Sequence, residues 1–308
     1  MKKLLYLFIG LFLLYSCSKK SESKDSVSDN QASEFEAFTD DFFTELWEMY
    51  PRWASYLGLH EYDSIVALPT KENRQKTIEK CKSLQTRLGE INVAQLEPLD
   101  AADYYLIENQ LASTIWYITE FRSNQWNPSN YGIAGSVSRI LNGKYDSLDA
   151  RLISILARLK HSKAYYEVAK QNIDNPTLEH TNLAILQSKG GLSSFGQKLV
   201  DSVNASTLTD SQKQLFMTRI EESKKAIQDY VDFLEALKKD LVANDSARSF
   251  RIGKEIFAKK FELDINSDYS ASEIYEKALK RKEELHSEMI TIADSLWDDY
   301  LPAESKPT

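Results

Sequence analysis

Cysteine, histidine, glycine and proline are all scarce in this chain, with 2, 4, 10 and 7 copies among 308 residues, and each shortage closes a route. Two cysteines cannot make a disulfide framework. None of the four histidines, His60, His161, His180 and His286, has another within one helical turn. That excludes the His-Glu-x-x-His helix, which puts two imidazoles on one face beside a general-base carboxylate. There is no phosphate-cradling glycine loop and no dinucleotide fingerprint. No apolar run reaches the roughly 20 residues a membrane-spanning helix needs. Positive charge is also in deficit, 38 Lys and Arg against 46 Asp and Glu for a net −8. Such a surface repels phosphate backbones, and nucleic acid is not an expected partner.

The amino terminus carries an address. Met1-Lys2-Lys3 precedes an apolar run over residues 4–15 broken only by Gly10, and the polar stretch after Ser16-Cys17 begins at once. This charged-then-apolar layout is that of an export signal over residues 1–16. Leu14-Tyr15-Ser16-Cys17 resembles the bacterial lipobox, which makes Cys17 the lipidated first residue of the mature protein and the membrane its partner. Two or more acyl chains on one residue hold a protein firmly at a membrane. Ser18, rather than Asp, follows the cysteine, and by resemblance to lipoprotein sorting rules this directs the protein to an outer membrane. Residues 17–32 are mostly Ser, Lys, Asp and Glu without apolar periodicity, the composition of a flexible tether.

From Ser33 onward apolar residues recur three and four apart, and no period-two stretch stands out, so residues 33–308 are expected to form a single all-α domain, an irregular array of long amphipathic helices. A capping box, Ser33-x-x-Glu36, opens a helix with Phe35, Phe38, Phe42, Leu46 and Trp47 on its face. Tyr50-Pro51 breaks it, and a short continuation stops at Gly58. Residues 70–89 form a second helix, on Ile78, Cys81, Leu84 and Leu88, which makes Cys81 an inert core thiol. A third starts at Asp100. Residues 123–135 form a loop carrying Trp126 and Tyr131. One long helix runs from Ser147 through Leu159 and Tyr166 towards Pro176, and the next is interrupted at Gly190-Gly191. Thr209-x-x-Gln212 and Ser270-x-x-Glu273 cap the last two long helices.

The residues that carry chemistry elsewhere lack their companions here. Glu283-x-x-His286 has the spacing of a di-iron ligand pair, but no second copy exists. Gly190-Gly191-Leu192-Ser193-Ser194-Phe195-Gly196 lacks the Gly-x-Ser-x-Gly spacing and the preceding strand of a nucleophile elbow, and reads as a helix break. Asp40-Asp41 and Asp298-Asp299 are neighbours on amphipathic helices and face water.

Several segments together carry a resemblance. Phe42-x-x-x-Leu46-Trp47-Glu48-x-x-Pro51-x-x-Ala54-x-x-Leu57-Gly58-x-His60-x-Tyr62-Asp63 is similar to the opening helix and loop of the bacterial proteins grouped as domain of unknown function 885. Trp126-Asn127-Pro128-x-x-Tyr131 resembles the family's Asn-Pro loop, and Ala150-Arg151-Leu152, Arg158-Leu159, residues 250–257 and Ser272-Glu273-Ile274 resemble later helices of its amino-terminal half. The resemblance implies a helical, cleft-shaped fold akin to thermolysin-group zinc peptidases, with the zinc-binding helix in the carboxy-terminal half. Zinc is therefore implied only for the missing half. No catalytic, cofactor or metal residue carries over to this chain, and Trp126, Asn130 and Tyr131 become candidates to line a substrate cleft. His60 reads as a structural side chain.

Two functions follow as expectations. One is the amino-terminal half of a lipid-anchored, metallopeptidase-like protein, truncated or completed by a separate carboxy-terminal catalytic half, and inactive alone. The other is a complete helical lipoprotein that binds a peptide, a glycan or an envelope partner, with Trp116, Tyr117, Trp126 and Tyr131 as stacking surfaces. A finished fold covers its last helix, whereas half a fold leaves an apolar face bare.

Overall fold

A computed structural model describes residues 25–306. The export signal, Cys17 and Ser18 lie outside the described residues. Among those described the secondary structure is helical throughout, apart from a single isolated bridge between Thr177 and Arg248. The fold is all-α. No helix in it is long and apolar enough to cross a membrane.

The first helix, α1 (Asp25–Met49), sets the pattern. It starts ahead of the expected cap at Ser33, so the second half of the expected tether is helical. No Pro or Gly lies between Asp25 and Ser33 to stop a helix that is anchored further on by Phe35, Phe38, Phe42 and Leu46, all buried. These side chains pack on α3 (Lys71–Leu88) and α4 (Pro98–Trp116), and form one hydrophobic core with Cys81, Leu84, Tyr104 and Leu111. Thr70 caps α3 by accepting a bond from the Asn73 N–H at 3.1 Å. Between α1 and α3 comes the short α2 (Pro51–Tyr56), with proline in the first turn, where its missing N–H costs nothing.

A second, larger core gathers α6 (Ala134–Asn142), α7 (Leu148–Leu159), α8 (Ser162–Asn172), α9 (Leu178–Gly191), α10 (Gln197–Ala205) and the 34-residue α11 (Asp210–Ala243). The four-residue α5 (Ser123–Trp126) leads into it. Phe195, Phe216 and Tyr230 are fully buried there. The single long helix expected from Ser147 is two, broken at Lys160 and His161. Leu159 and Tyr166 keep the apolar register across the break, which hides it in the sequence. Ser162 turns inward instead and meets Ser223 of α11, hydroxyl to hydroxyl, at 2.8 Å. The interruption expected at Gly190-Gly191 is where α9 ends, and a 3-10 turn (Leu192–Phe195) leads from there to Gly196 and α10. Gly191 is required for another reason: a Cβ there would come within 2.9 Å of the Ala134 Cβ, so glycine lets α9 and α6 touch.

Two helices follow, α12 (Lys254–Ile265) and α13 (Ala271–Tyr300). The Asn109 amide of α4 donates to the Leu263 carbonyl at 2.8 Å and fastens α12. The capping boxes at Thr209 and Ser270 are both formed. No residue of α13 is buried.

Cys81 is fully buried, and burial, with the Glu45 charge behind it, pushes its thiol up to about 11. A thiol reagent at pH 8 is expected to label it only as fast as the chain unfolds, as read by labelling rate against urea. Rapid labelling of the native protein would place this side chain at the surface.

Candidate binding site

The site is built around the turn that ends α2. Gly58, at φ +97°, follows the Leu57 cap. Its N–H donates to the Ser55 carbonyl at 3.3 Å, while Leu59 N–H reaches back to Ala54 at 3.1 Å. This is the paired bond pattern of a Schellman stop. The chain reverses into a 3-10 turn (His60–Tyr62) and delivers Asp63 beneath Ser55. The Leu57-Gly58-x-His60-x-Tyr62-Asp63 motif is thus a helix stop followed by a buried acid.

Asp63 is 1% exposed. One carboxylate oxygen accepts from the Ser55 hydroxyl; the other accepts from the Tyr145 phenol and lies 3.2 Å from His60 Nδ1. The His60 ring stacks nearly parallel on Tyr145, 4° between planes. Burial and then the bond to Asp63 raise the Tyr145 phenol above its ordinary range, so it stays a donor. An acid bonded to this many donors holds a loop in place and has little capacity left for proton abstraction. The Ser55 hydroxyl, donating to Asp63 while accepting from Arg139 Nη2 at 2.9 Å, is fully buried and no accessible nucleophile.

Beside this knot, where the two cores meet, lies a cavity of ≈ 590 Å³. Trp53 and Tyr56 of α2, with Ile65 and Val66, line one side; Ile133, Val137, Leu159 and Tyr165 line the other. Three guanidinium groups, of Arg52, Arg139 and Arg158, are the charged part of its lining, and no acidic residue lines it. None of the three forms an ion pair among the described residues. Arg158 Nη1 donates to the carbonyls of Asp63 at 2.9 Å and Ile65 at 3.0 Å, and Arg52 Nη1 to Gly132 at 3.2 Å. Burial first and the Arg139 charge second lower the Arg158 guanidinium to about 10, which leaves it charged at neutral pH.

The residues singled out from sequence are placed as follows. Trp126 is buried; its indole donates to the Phe121 carbonyl at 2.8 Å, and its ring meets Phe121 and His180 edge-on, under the Arg248 guanidinium. Tyr131 is also buried, and its hydroxyl donates to the Asn124 carbonyl. Both rings pin their loop to the fold. Asn130 donates to the Ser123 hydroxyl at 3.1 Å and lines a second, polar cavity of ≈ 570 Å³, shared with Asn109, Gln110, Ser113 and Asp264. The Ser113 hydroxyl there has no bonding partner among the described residues. Trp116 and Tyr117 pack on Phe121, with the Tyr117 hydroxyl 2.6 Å from Asp264.

Among the described residues no three His, Cys, Asp or Glu side chains converge where they could hold a metal ion. The arginine set was missed. Its signal was present: Arg151 and Arg158 stand on the face of α7 that carries Ile155 and Leu159, and a charge in an apolar register has a buried task. Arg151 Nη1 caps the end of α6, donating to Ile140 at 3.1 Å and also to Leu141.

Fold and site together define a helical protein with an arginine-lined cavity at the junction of two cores. Residues 51–304 match the family described as "Bacterial protein of unknown function (DUF885)", and the chain belongs to that family. A solved structure, of a protein from Shewanella oneidensis assigned as a lipoprotein of unknown function, is 40% identical and superposes with a TM-score of 0.83. The match covers 89% of this chain and 50% of that one, so this chain spans about half the length of its solved relative. No curated protein matches.

Two substitutions test the knot. Asp63→Ala strands the Tyr145 and Ser55 hydroxyls and the His60 ring, and is expected to cost about 3 kcal/mol, seen as a lower urea midpoint at unchanged slope. A midpoint within error of the parent would remove Asp63 from its structural role. At Gly58 a Cβ meets nothing within 4 Å, so Gly58→Ala should cost only the left-handed backbone strain, about 1–2 kcal/mol.

Proposed function

We propose that this chain is a lipid-anchored envelope protein and the non-catalytic, amino-terminal half of a metallopeptidase-like protein. It is inactive by itself, and the bare face of α13 is the seat for a complementary half. The observation that carries this reading is α13. Its stripe of Ile274, Leu285, Met289, Ile292 and Leu296 is exposed along its length, with Leu279, Ile290 and Tyr300 beside it. Each such side chain gains about 1.5–3 kcal/mol when fully buried, and a helix patterned this way on a chain half as long as its relative is suited to a covering partner. The relative's assignment as a lipoprotein supports the anchor through Cys17, and Ser18 supports outer-membrane sorting. The arginine-lined cavity favours the second reading, a binding lipoprotein whose ligand is a peptide, a glycan or an envelope partner.

The test uses the soluble chain from Ser18 onward and the part of the Shewanella relative that it does not cover. Under the half-protein reading the chain alone binds a hydrophobic dye and self-associates. It then forms a one-to-one complex with the added half by light scattering, and zinc copurifies only with that complex. The double variant Leu285→Lys/Met289→Lys is expected to abolish association while its own stability stays within about 0.5 kcal/mol, because both positions are exposed. A dye-free monomer that ignores the added half would leave the binding-lipoprotein reading in possession.

A further inference from the structure

We infer that the cavity between α2 and the α6–α7 wall binds a small amphiphilic carboxylate, with the arginines holding the anion and the aromatic and aliphatic walls holding its apolar body. Its volume, ≈ 590 Å³, falls in the usual range for small-molecule sites, which are largely apolar with a few convergent polar groups. Guanidinium groups are the forks that match a carboxylate in two-point fashion. Arg52, Arg139 and Arg158 converge here on a chain whose net charge is −8, against the general sign of its surface.

The local balance is unfinished. Asp63 is the nearby acid, and its oxygens are taken up by Ser55, Tyr145 and His60 rather than by any guanidinium. Arg139 reaches it only through the Ser55 hydroxyl. Three cations against one anion leave a surplus of positive charge in a half-buried, apolar setting, where like charges repel at reduced screening. Burial is the first cause of the lowered Arg158 value; the Arg139 and Arg52 charges lower it further, while the Asp63 charge opposes them. Arg52 has most to offer a ligand. Its exposed side chain spends one donor on the Gly132 carbonyl, at 3.2 Å, out of five. A fully hydrated inorganic anion would gain nothing from Trp53, Ile133 and Leu159, whereas a carboxylate on an apolar body uses both halves of the site.

Two sources share this chemistry, the free carboxy terminus of a peptide ending in an apolar residue and a free aliphatic acid. The site is independent of whether α13 seats a second half, so failure of that association leaves it standing. Calorimetric titration of the chain with N-acetylphenylalanine, its amide, octanoate and inorganic phosphate tests it. The expected result is a Kd of about 1 mM or tighter for at least one of the two acids, with the amide at least about tenfold weaker and affinity falling as salt rises. The tighter of the two acids identifies the source. Arg52→Gln should weaken binding about tenfold with an unchanged melting temperature, and Arg139→Gln is the second variant if Arg52→Gln fails to fold. Equal binding of acid and amide, tighter binding of phosphate than of either acid, or no binding of either acid at about 10 mM would overturn the assignment.

Discussion

The carboxylate of Asp63 is the fixed point on which the junction of the two cores depends. It sits after a helix stop, under Ser55, and takes a bond from Tyr145, which lies more than eighty positions on in the chain. Arg139 and Arg158 then bind the backbone at Ser55, Asp63 and Ile65. A buried charge left without such donors would be strongly destabilising; with them, it ties α2 and the following turn to α6 and α7. Arg52 on Gly132, Arg74 on Asn172 and Asn172 on the Pro69 carbonyl add further directional bonds between the two sides, whereas apolar contact alone is non-directional and would not set the spacing between the cores. The cavity is the volume that this spacing leaves.

That origin explains why the cavity is both apolar and cationic. Its walls are the edges of two hydrophobic cores. Its arginines are there because carbonyl groups at the end of α2 and in the Asp63 turn need donors where no helix continues to supply them. Arg158 commits Nη1 to two carbonyls, Arg139 places Nη1 and Nη2 on Ser55, and Arg52 is held at one point. The same residues that fasten the junction therefore create the positive field at its mouth.

Helical class and the capped starts at Thr209 and Ser270 were legible because they rest on local patterns: a side chain that accepts from the third N–H, followed by apolar residues on one face. The break at Lys160 and His161 was not, since Leu152, Ile155, Leu159 and Tyr166 point to a core continuous across it, and the turn exists for a tertiary contact between Ser162 and Ser223. The site divides in the same way. Gly58 and Pro51 announce a stop and a start. His60 and Asp63 are conspicuous in the sequence, yet their partners Tyr145, Arg139 and Arg158 are far along the chain, and only the fold pairs them. Trp126 and Tyr131 drew attention as aromatic residues in a loop, and the fold uses their rings to fasten that loop while Asn130 between them reaches a cavity.

The last helix poses the opposite problem, a sequence pattern with no answering structure. Every other long helix of the described residues has buried side chains on its apolar face; α13 has the face and none of the burial. Its capping box and the bonds of Arg281 to Glu284 and Glu288, at 3.2 and 3.1 Å, are local devices at an exposed, solvent-screened surface. They can favour a helix, but they do not account for Ile274, Leu285, Met289, Ile292 and Leu296 recurring on one side of it. Periodic apolar placement stabilises nothing in water, and none of the described residues covers this stripe. The sharp contrast between a well-satisfied junction at Asp63 and a bare stripe on α13 separates the two halves of the functional question. The cavity is a property of this chain's own packing, whereas the stripe is what that packing leaves bare.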